Sequence, residues 1–306
     1  MPESSIGAWL LLVKIFPVFC ALLVLALGSA QAASLPWSTI FRGEPQFHSL
    51  LGQAYAKNWP NLPLGERTTA VGLALVGTPY GNWTLEIDDR IEAPSVNLKE
   101  LDCWTFFEIA LAFARMLEDP RSDHTPQRLL YYIELDRYRG GRCDGTYLSR
   151  LHFLEEWAAD NEARGLVRNI TQSLGGVRMP RREITTMSGP WRSYRYLRVN
   201  PGLVRDIRAM EARVSDFPVY FIPKKRVPAI EPKLQDGDII CITTSWQGCY
   251  SSHVGLAYRD PKGVLRFLHA TSTKAKGRAV VVDSRLSTYL NAHRNHTGIF
   301  VVRPVR

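Results

Sequence analysis

The sequence predicts an α+β protein, and three observations carry that expectation. Helical patterning dominates the chain up to about residue 235. From Asp236 onward, short Val- and Ile-rich segments with strand spacing take over. Between them, a helix starting at Cys103 is apolar nearly all round, which requires burial on most sides and places it at the centre of the domain. Helices first and strands afterwards describe an antiparallel sheet packed against helices.

The elements follow in order. Lys14 precedes an apolar run from Ile15 to Leu27, and Gly28-Ser29-Ala30-Gln31-Ala32 closes it. A charged flank, a short apolar core and an Ala-x-Ala exit have the layout of a secretory signal peptide over residues 1–32, cleaved after Ala32. The apolar core falls short of the roughly 20 residues that a membrane-crossing helix needs, so no stable membrane anchor is expected after cleavage. The expected location is periplasmic or secreted. Residues 33–306 then read as a single domain with a helical elaboration at about 120–232.

Within that domain, residues 47–59 place Leu50, Leu51, Ala54 and Tyr55 on one helical face, and residues 65–75 form a second helix that Pro79 cannot continue. A polar extended stretch leads to Asp102, an N-cap for the helix at 103–117. Thr125-Pro126 opens a helix that Gly140-Gly141 ends; residues 150–164 form another, closed by Gly165; Asn200-Pro201 opens a fourth of the same design. Strands are expected at 238–243, 253–258, 264–270, 279–283 and 299–303, with a short helix at 284–293.

Composition sets limits on chemistry. The net charge of +9 concentrates in clusters such as Arg192 to Arg198 and Lys224-Lys225-Arg226, a face that attracts anions. No nucleic-acid module is recognisable, so nucleic acid is not an expected partner. Cys103, Cys143, Cys241 and Cys249 follow residue 32 without Cys-x-x-Cys spacing, which indicates no metal site. With Cys103 kept as a free thiol, Cys143, Cys241 and Cys249 allow one disulfide at most, its pairing unassigned.

Three residues suit nucleophilic catalysis. Cys103 at a helix N-terminus would have its thiolate stabilised by the helix dipole and free backbone N–H groups. A thiol nucleophile also needs an imidazole to take and return a proton. Asp260-Pro261-Lys262-Gly263 reads as a type I turn followed by an αL glycine, which sets Asp260 opposite Val264. Counting back, His269 faces Gly255 and His253 faces Thr271, so the two histidines are diagonal neighbours on one side of the sheet. One then serves as base and the other holds its far ring nitrogen and fixes the tautomer. Gly255 opposite His269 is expected to leave space there.

Leu101-Asp102-Cys103-Trp104-Thr105-Phe106, Ser252-His253-Val254-Gly255 and Leu268-His269-Ala270-Thr271 resemble the Cys, His and third-polar-residue motifs of the NlpC superfamily of papain-like peptidases. Gly77-Thr78-Pro79-Tyr80 resembles its upstream Pro-Tyr element. Further segments resemble, in order, signatures of the N-acetylmuramoyl-L-alanine amidase-like family within it: Arg150-Leu151-His152-Phe153 with Trp157 and Asn161, Thr171-x-x-Leu174-Gly175-Gly176, Met187-Ser188, Tyr220-Phe221-Ile222-Pro223 and Asp236-Gly237-Asp238-Ile239-Ile240. The resemblance implies a papain-like, NlpC-type fold with the Cys helix packed on an antiparallel sheet that carries both histidines. It implies hydrolysis of the N-acetylmuramoyl–L-alanine amide in peptidoglycan fragments (muropeptides) through a thioester, without metal or organic cofactor. Catalysis is then expected from Cys103, His253 and His269, with Tyr80, Trp104, Arg150, His152 and Trp157 as candidates for the oxyanion and substrate contacts. Two other readings use the same residues: an endopeptidase cutting the stem between D-glutamate and the diamino acid, and a non-catalytic wall-binding or effector protein. Oligomeric state is not legible in the sequence.

Overall fold

A short reverse turn sets the register of the strands that carry both histidines. In the computed structural model, which describes residues 35–119 and 123–305, Gly263 adopts φ +77°, and Asp260 accepts from the backbone N–H groups of Lys262 and Val264. The flanking strands pair Arg259 with Leu265 and Leu256 with Leu268, the register the turn predicts. The leader read at residues 1–32 lies outside the described residues.

The longer helices are α1 (Glu44–Ala56), α2 (Leu64–Ala74), α3 (Cys103–Glu118), α4 (Pro126–Arg137), α5 (Leu154–Ala163), α6 (Val204–Ser215) and α7 (Leu286–Ala292). The strands of the main sheet are β1 (Val167–Asn169), β2 (Val177–Arg178), β3 (Tyr220–Pro223), β4 (Ile239–Thr244), β5 (Ser251–Arg259), β6 (Leu265–Ala270), β7 (Val280–Arg285) and β8 (His296–Pro304). They run in the order β2-β3-β8-β4-β5-β6-β7, with β1 also on β8, and every pairing is antiparallel. The chain is therefore the mixed α+β architecture that the sequence implies.

Alternation along the strands divides the core into two layers. Cys241, Val254, Leu256 and Leu268 join α3 through Phe106, Phe107 and Ile109, while Ile240, Ile242, Ala257 and Phe267 pack with Leu286 and Leu290 of α7 on the other face. Burial on both faces explains why β4 is enclosed along its whole length.

Two expectations need correction. The stretch at 120–232 is not purely helical: β1, β2 and β3 come from it and join the sheet, a contribution too short in sequence to show strand periodicity. The helix expected at 150–164 begins at Leu154, because Arg150 and Phe153 adopt extended backbone and Arg150 turns inward to carboxylates. Cys103, Cys143, Cys241 and Cys249 are all free thiols, within the limit of one disulfide that the sequence sets.

Candidate active site

Cys103 is the first residue of α3, and a reciprocal cap fixes that helix end. Asp102 accepts from the Thr105 backbone N–H at 2.7 Å, and the Asp102 backbone N–H donates to the Thr105 hydroxyl at 3.0 Å. Satisfying these end groups defines where the helix starts and holds the half-buried Cys103 at the floor of a cleft of about 320 Å³. His253 and Val254 line the same cleft, and the Val254 backbone N–H reaches the Cys103 sulfur.

Behind His253 runs a chain of polar contacts. His253 Nε2 meets His269 Nδ1 at 2.7 Å, and His269 Nε2 meets Asp283 Oδ2 at 3.4 Å. Asp283 is in turn held by the Lys276 ammonium at 2.9 Å and the Ser284 backbone N–H at 2.6 Å. A carboxylate at the end fixes every tautomer along the chain. His269 donates from Nε2 to Asp283, so its Nδ1 must accept from His253 Nε2–H, which leaves His253 Nδ1 as the unprotonated nitrogen. Tyr289 backs the pair, its ring centroid 5.1 Å from that of His269.

Burial governs the charge state. It holds His253 well below the ordinary imidazole range, helped by the neighbouring His269, His296 and His293. Burial also lowers His269, against the pull of Asp283. Asp283 itself is driven below the usual carboxylate range, chiefly by its hydrogen bond with His269. The Cys103 thiol is pushed up to about 12 by burial and then by the Asp102 charge, although N–H groups of Val254, Cys103 and Trp104 oppose the shift. The expected helix-stabilised thiolate is therefore outweighed: the cleft holds a thiol and a neutral imidazole. Nor does Gly255 leave space. A Cβ there would stand 2.6 Å from the Leu268 carbonyl oxygen and 2.7 Å from His269 Cβ, so glycine permits close strand approach.

The remaining sequence candidates divide. Tyr80 is bridged to Leu101, two residues before Cys103, and its phenol is raised by burial and then by proximity to Cys103 and Asp102. Trp104 and His152 line the cleft; His152 Nε2 lies 2.8 Å from the Tyr147 carbonyl oxygen, and burial keeps the ring well below the ordinary imidazole range. Arg150 reaches the cleft wall but is buried against Glu86 at 3.3 Å and Glu92 at 3.8 Å, so its charge is already met by the protein. Trp157 is 0 % exposed and packs edge-on to Phe107 in the core, away from the cleft surface.

Sequence reasoning missed Asp283 and Tyr289. Asp283 lies two residues beyond Val281, the partner of His269, and so shares its face. The nine-residue connection from β6 to β7 carries no turn signal that would set this register, unlike the loop before Val264. The expected strand at 279–283 was nevertheless a signal, since a carboxylate inside a strand beside a histidine strand asks for a partner.

A thiol and an imidazole line one cleft, and a second histidine and a carboxylate stand behind that imidazole, an arrangement whose chemistry suits acyl transfer. Residues 70–299 match the family described as N-acetylmuramoyl-L-alanine amidase-like, and the chain belongs to that family. It is similar to an N-acetylmuramoyl-L-alanine amidase from Bacteroides uniformis ATCC 8492, with 31 % identity, TM-score 0.70 and coverage of 79 % of this chain and 99 % of that one. A Bacteroides fragilis protein named as a candidate xylanase is 34 % identical with TM-score 0.67, over 76 % of this chain and 98 % of that one. Protein LPG0564 of Legionella pneumophila, 18 % identical with TM-score 0.62 over 86 % and 95 % of the two chains, shares the fold. No curated protein matches.

Proposed function

We propose that this protein is an exported cysteine amidase that hydrolyses the N-acetylmuramoyl–L-alanine bond of peptidoglycan fragments. The observation that carries the reading is the chain Asp283–His269–His253, ending at the cleft that holds Cys103. Family membership supports the substrate class. The Cys helix on a histidine-bearing antiparallel sheet supports grouping the chain with the NlpC-type papain-like peptidases. The leader-like segment before Ala33 supports export to the periplasm or medium.

The steps follow from the tautomers. Cys103 passes its proton to His253 Nδ1 as the sulfur attacks the lactyl carbonyl carbon. The Cys103 backbone N–H and the Tyr80 hydroxyl donate to the oxyanion. Collapse breaks the C–N bond, and His253 returns the proton to the departing L-alanine nitrogen. Water then gives a proton to His253 and attacks the thioester, releasing the lactyl carboxylic acid; the proton on His253 restores the Cys103 thiol. No cofactor takes part.

The test is mass spectrometry of products from a sugar-linked tetrapeptide and from the free tetrapeptide. A sugar fragment plus a peptide with free N-terminal L-alanine is the expected result. Cleavage of the free tetrapeptide between D-glutamate and the diamino acid would replace this reading with the endopeptidase. Intact substrates beside an iodoacetamide-reactive Cys103 would replace it with a wall-binding protein.

A further inference from the structure

Trp83 is the residue at the site whose placement the acyl-transfer steps leave unexplained. It is 54 % exposed and has φ +59°, a left-handed backbone that a bulky side chain adopts only at a cost. The surrounding segment imposes this geometry. Gly81 N–H donates to the Leu101 carbonyl at 3.1 Å, Glu86 N–H to the Trp83 carbonyl at 3.0 Å, and the Thr84 hydroxyl to Asp102 at 2.6 Å. Trp83 is thus tied, through its neighbour, to the residue that caps the nucleophile helix. Its indole stands edge-on to Tyr194, ring centroids 5.2 Å apart. It lines both the cleft of Cys103 and an adjoining cavity of about 330 Å³, whose walls include Asn82, Thr84, Asn97, Glu100 and Arg195.

Resting on the amidase reading, we propose that Trp83 is the stacking platform of a saccharide subsite, and that the adjoining cavity takes the pyranose ring beyond the muramoyl group. An exposed indole offers an apolar face to the C–H face of a pyranose, and Tyr194 holds it upright. The cavity behind it supplies amides, a hydroxyl and carboxylates, which accept hydrogen bonds from sugar hydroxyls. Charge decides between the two halves of the substrate. The charges that line this cavity are matched within the protein: Arg42 pairs with Glu100 at 3.5 Å, Arg195 with Asp89 at 2.5 Å, and Glu86 with Arg150 at 3.3 Å. With its cations already paired, the cavity has little to hold the carboxylates of a stem peptide, whereas a neutral sugar needs no counter-charge.

The experiment compares N-acetylmuramoyl-tetrapeptide with its disaccharide counterpart carrying an added N-acetylglucosamine, using the wild type, Trp83→Ala and Trp83→Phe. Trp83→Ala should raise KM for the disaccharide substrate about tenfold, with the loss on KM rather than kcat, and less for the monosaccharide substrate. Trp83→Phe should recover most of that loss. Separately, N,N′-diacetylchitobiose added to Cys103→Ala should quench indole fluorescence, and Trp83→Phe in that background should remove the change. A disaccharide KM within about twofold of wild type in Trp83→Ala, or an equal loss on both substrates, overturns the subsite. The masses of the products still report the amidase reading in every arm, so the two can fail separately.

Discussion

Two sets of buried polar side chains do opposite work in this molecule. In the helical layer, each buried arginine among the described residues meets a carboxylate: Arg137 with Glu108 at 2.8 Å, Arg67 with Glu118 at 2.5 Å, Arg115 with Asp136, and Arg150 with Glu86 and Glu92. On the sheet, His253 and His269 are held neutral by burial, and only the far end of their chain carries the Asp283 charge. The difference teaches where mobility resides. An arginine pair fixes geometry because its proton never moves. A chain of neutral imidazoles holds protons that can move along defined tautomers. The first set should govern stability and the second turnover.

The strongest way to break that division is at the proposed nucleophile. Cys103→Ala should lower hydrolysis by about 10⁴-fold or more while urea unfolding stays cooperative, because only the attacking atom is lost. Turnover near the wild-type rate would remove Cys103 from the chemistry. His253→Ala should cost nearly as much, since both proton transfers of the proposed reaction pass through it.

Next come the positioning residues. His269→Ala and Asp283→Asn should each reduce kcat by about 10²-fold, less than loss of the base, because they set a tautomer without exchanging the transferred proton. Asp283→Asn should also shift the acid limb of the pH–rate profile, a change that a merely structural residue would not produce. Wild-type kinetics in His269→Ala would show that the 2.7 Å contact does not serve catalysis.

The helical layer should answer in the opposite currency. Arg137→Met leaves Glu108 buried without its cation and should destabilise by about 3–5 kcal/mol, measured by denaturant unfolding, while kcat per folded molecule holds. A loss of kcat without loss of stability would erase the contrast between the two regions.

The smallest effects are read by pH. His253 and His269 have folded-state values below the unfolded histidine value of about 6.5, so below that pH the unfolded chain binds more protons and stability falls. Asp283, also depressed, contributes stability that is present above about pH 3.9 and is lost as pH falls through its folded value. All three therefore weaken the fold on the acid side, beginning with the histidines. Unfolding free energies that stay flat from pH 8 to about pH 5 would contradict this sign. With the thiol raised to about 12, alkylation of Cys103 by iodoacetamide should keep climbing through alkaline pH. A plateau already reached at pH 6 would instead require a preformed thiolate.

Much of this site can be read from residues alone, and particular elements show why. Asp102, with Thr105 three residues on, marks the start of α3 because capping is local chemistry. Asp260-Pro261-Lys262-Gly263 has one compatible geometry, so a turn of four residues sets the register that carries His253 and His269. The apolar surround of α3 likewise predicts its burial before any neighbour is known. Long-range facts escape such reasoning. Trp157 and Arg150 are residue types that bind ligands elsewhere, and only packing decides that one fills the core and the other meets Glu86 and Glu92. Asp283 joins His269 across a connection without a register signal, and Trp83 is held at the cleft rim by its neighbour Thr84, whose hydroxyl bonds to Asp102, 18 positions further along the chain. The thiol shows the limit most clearly. Helix position argues for a low pKa, a local effect, but desolvation depends on every atom that the fold brings around Cys103, and it prevails.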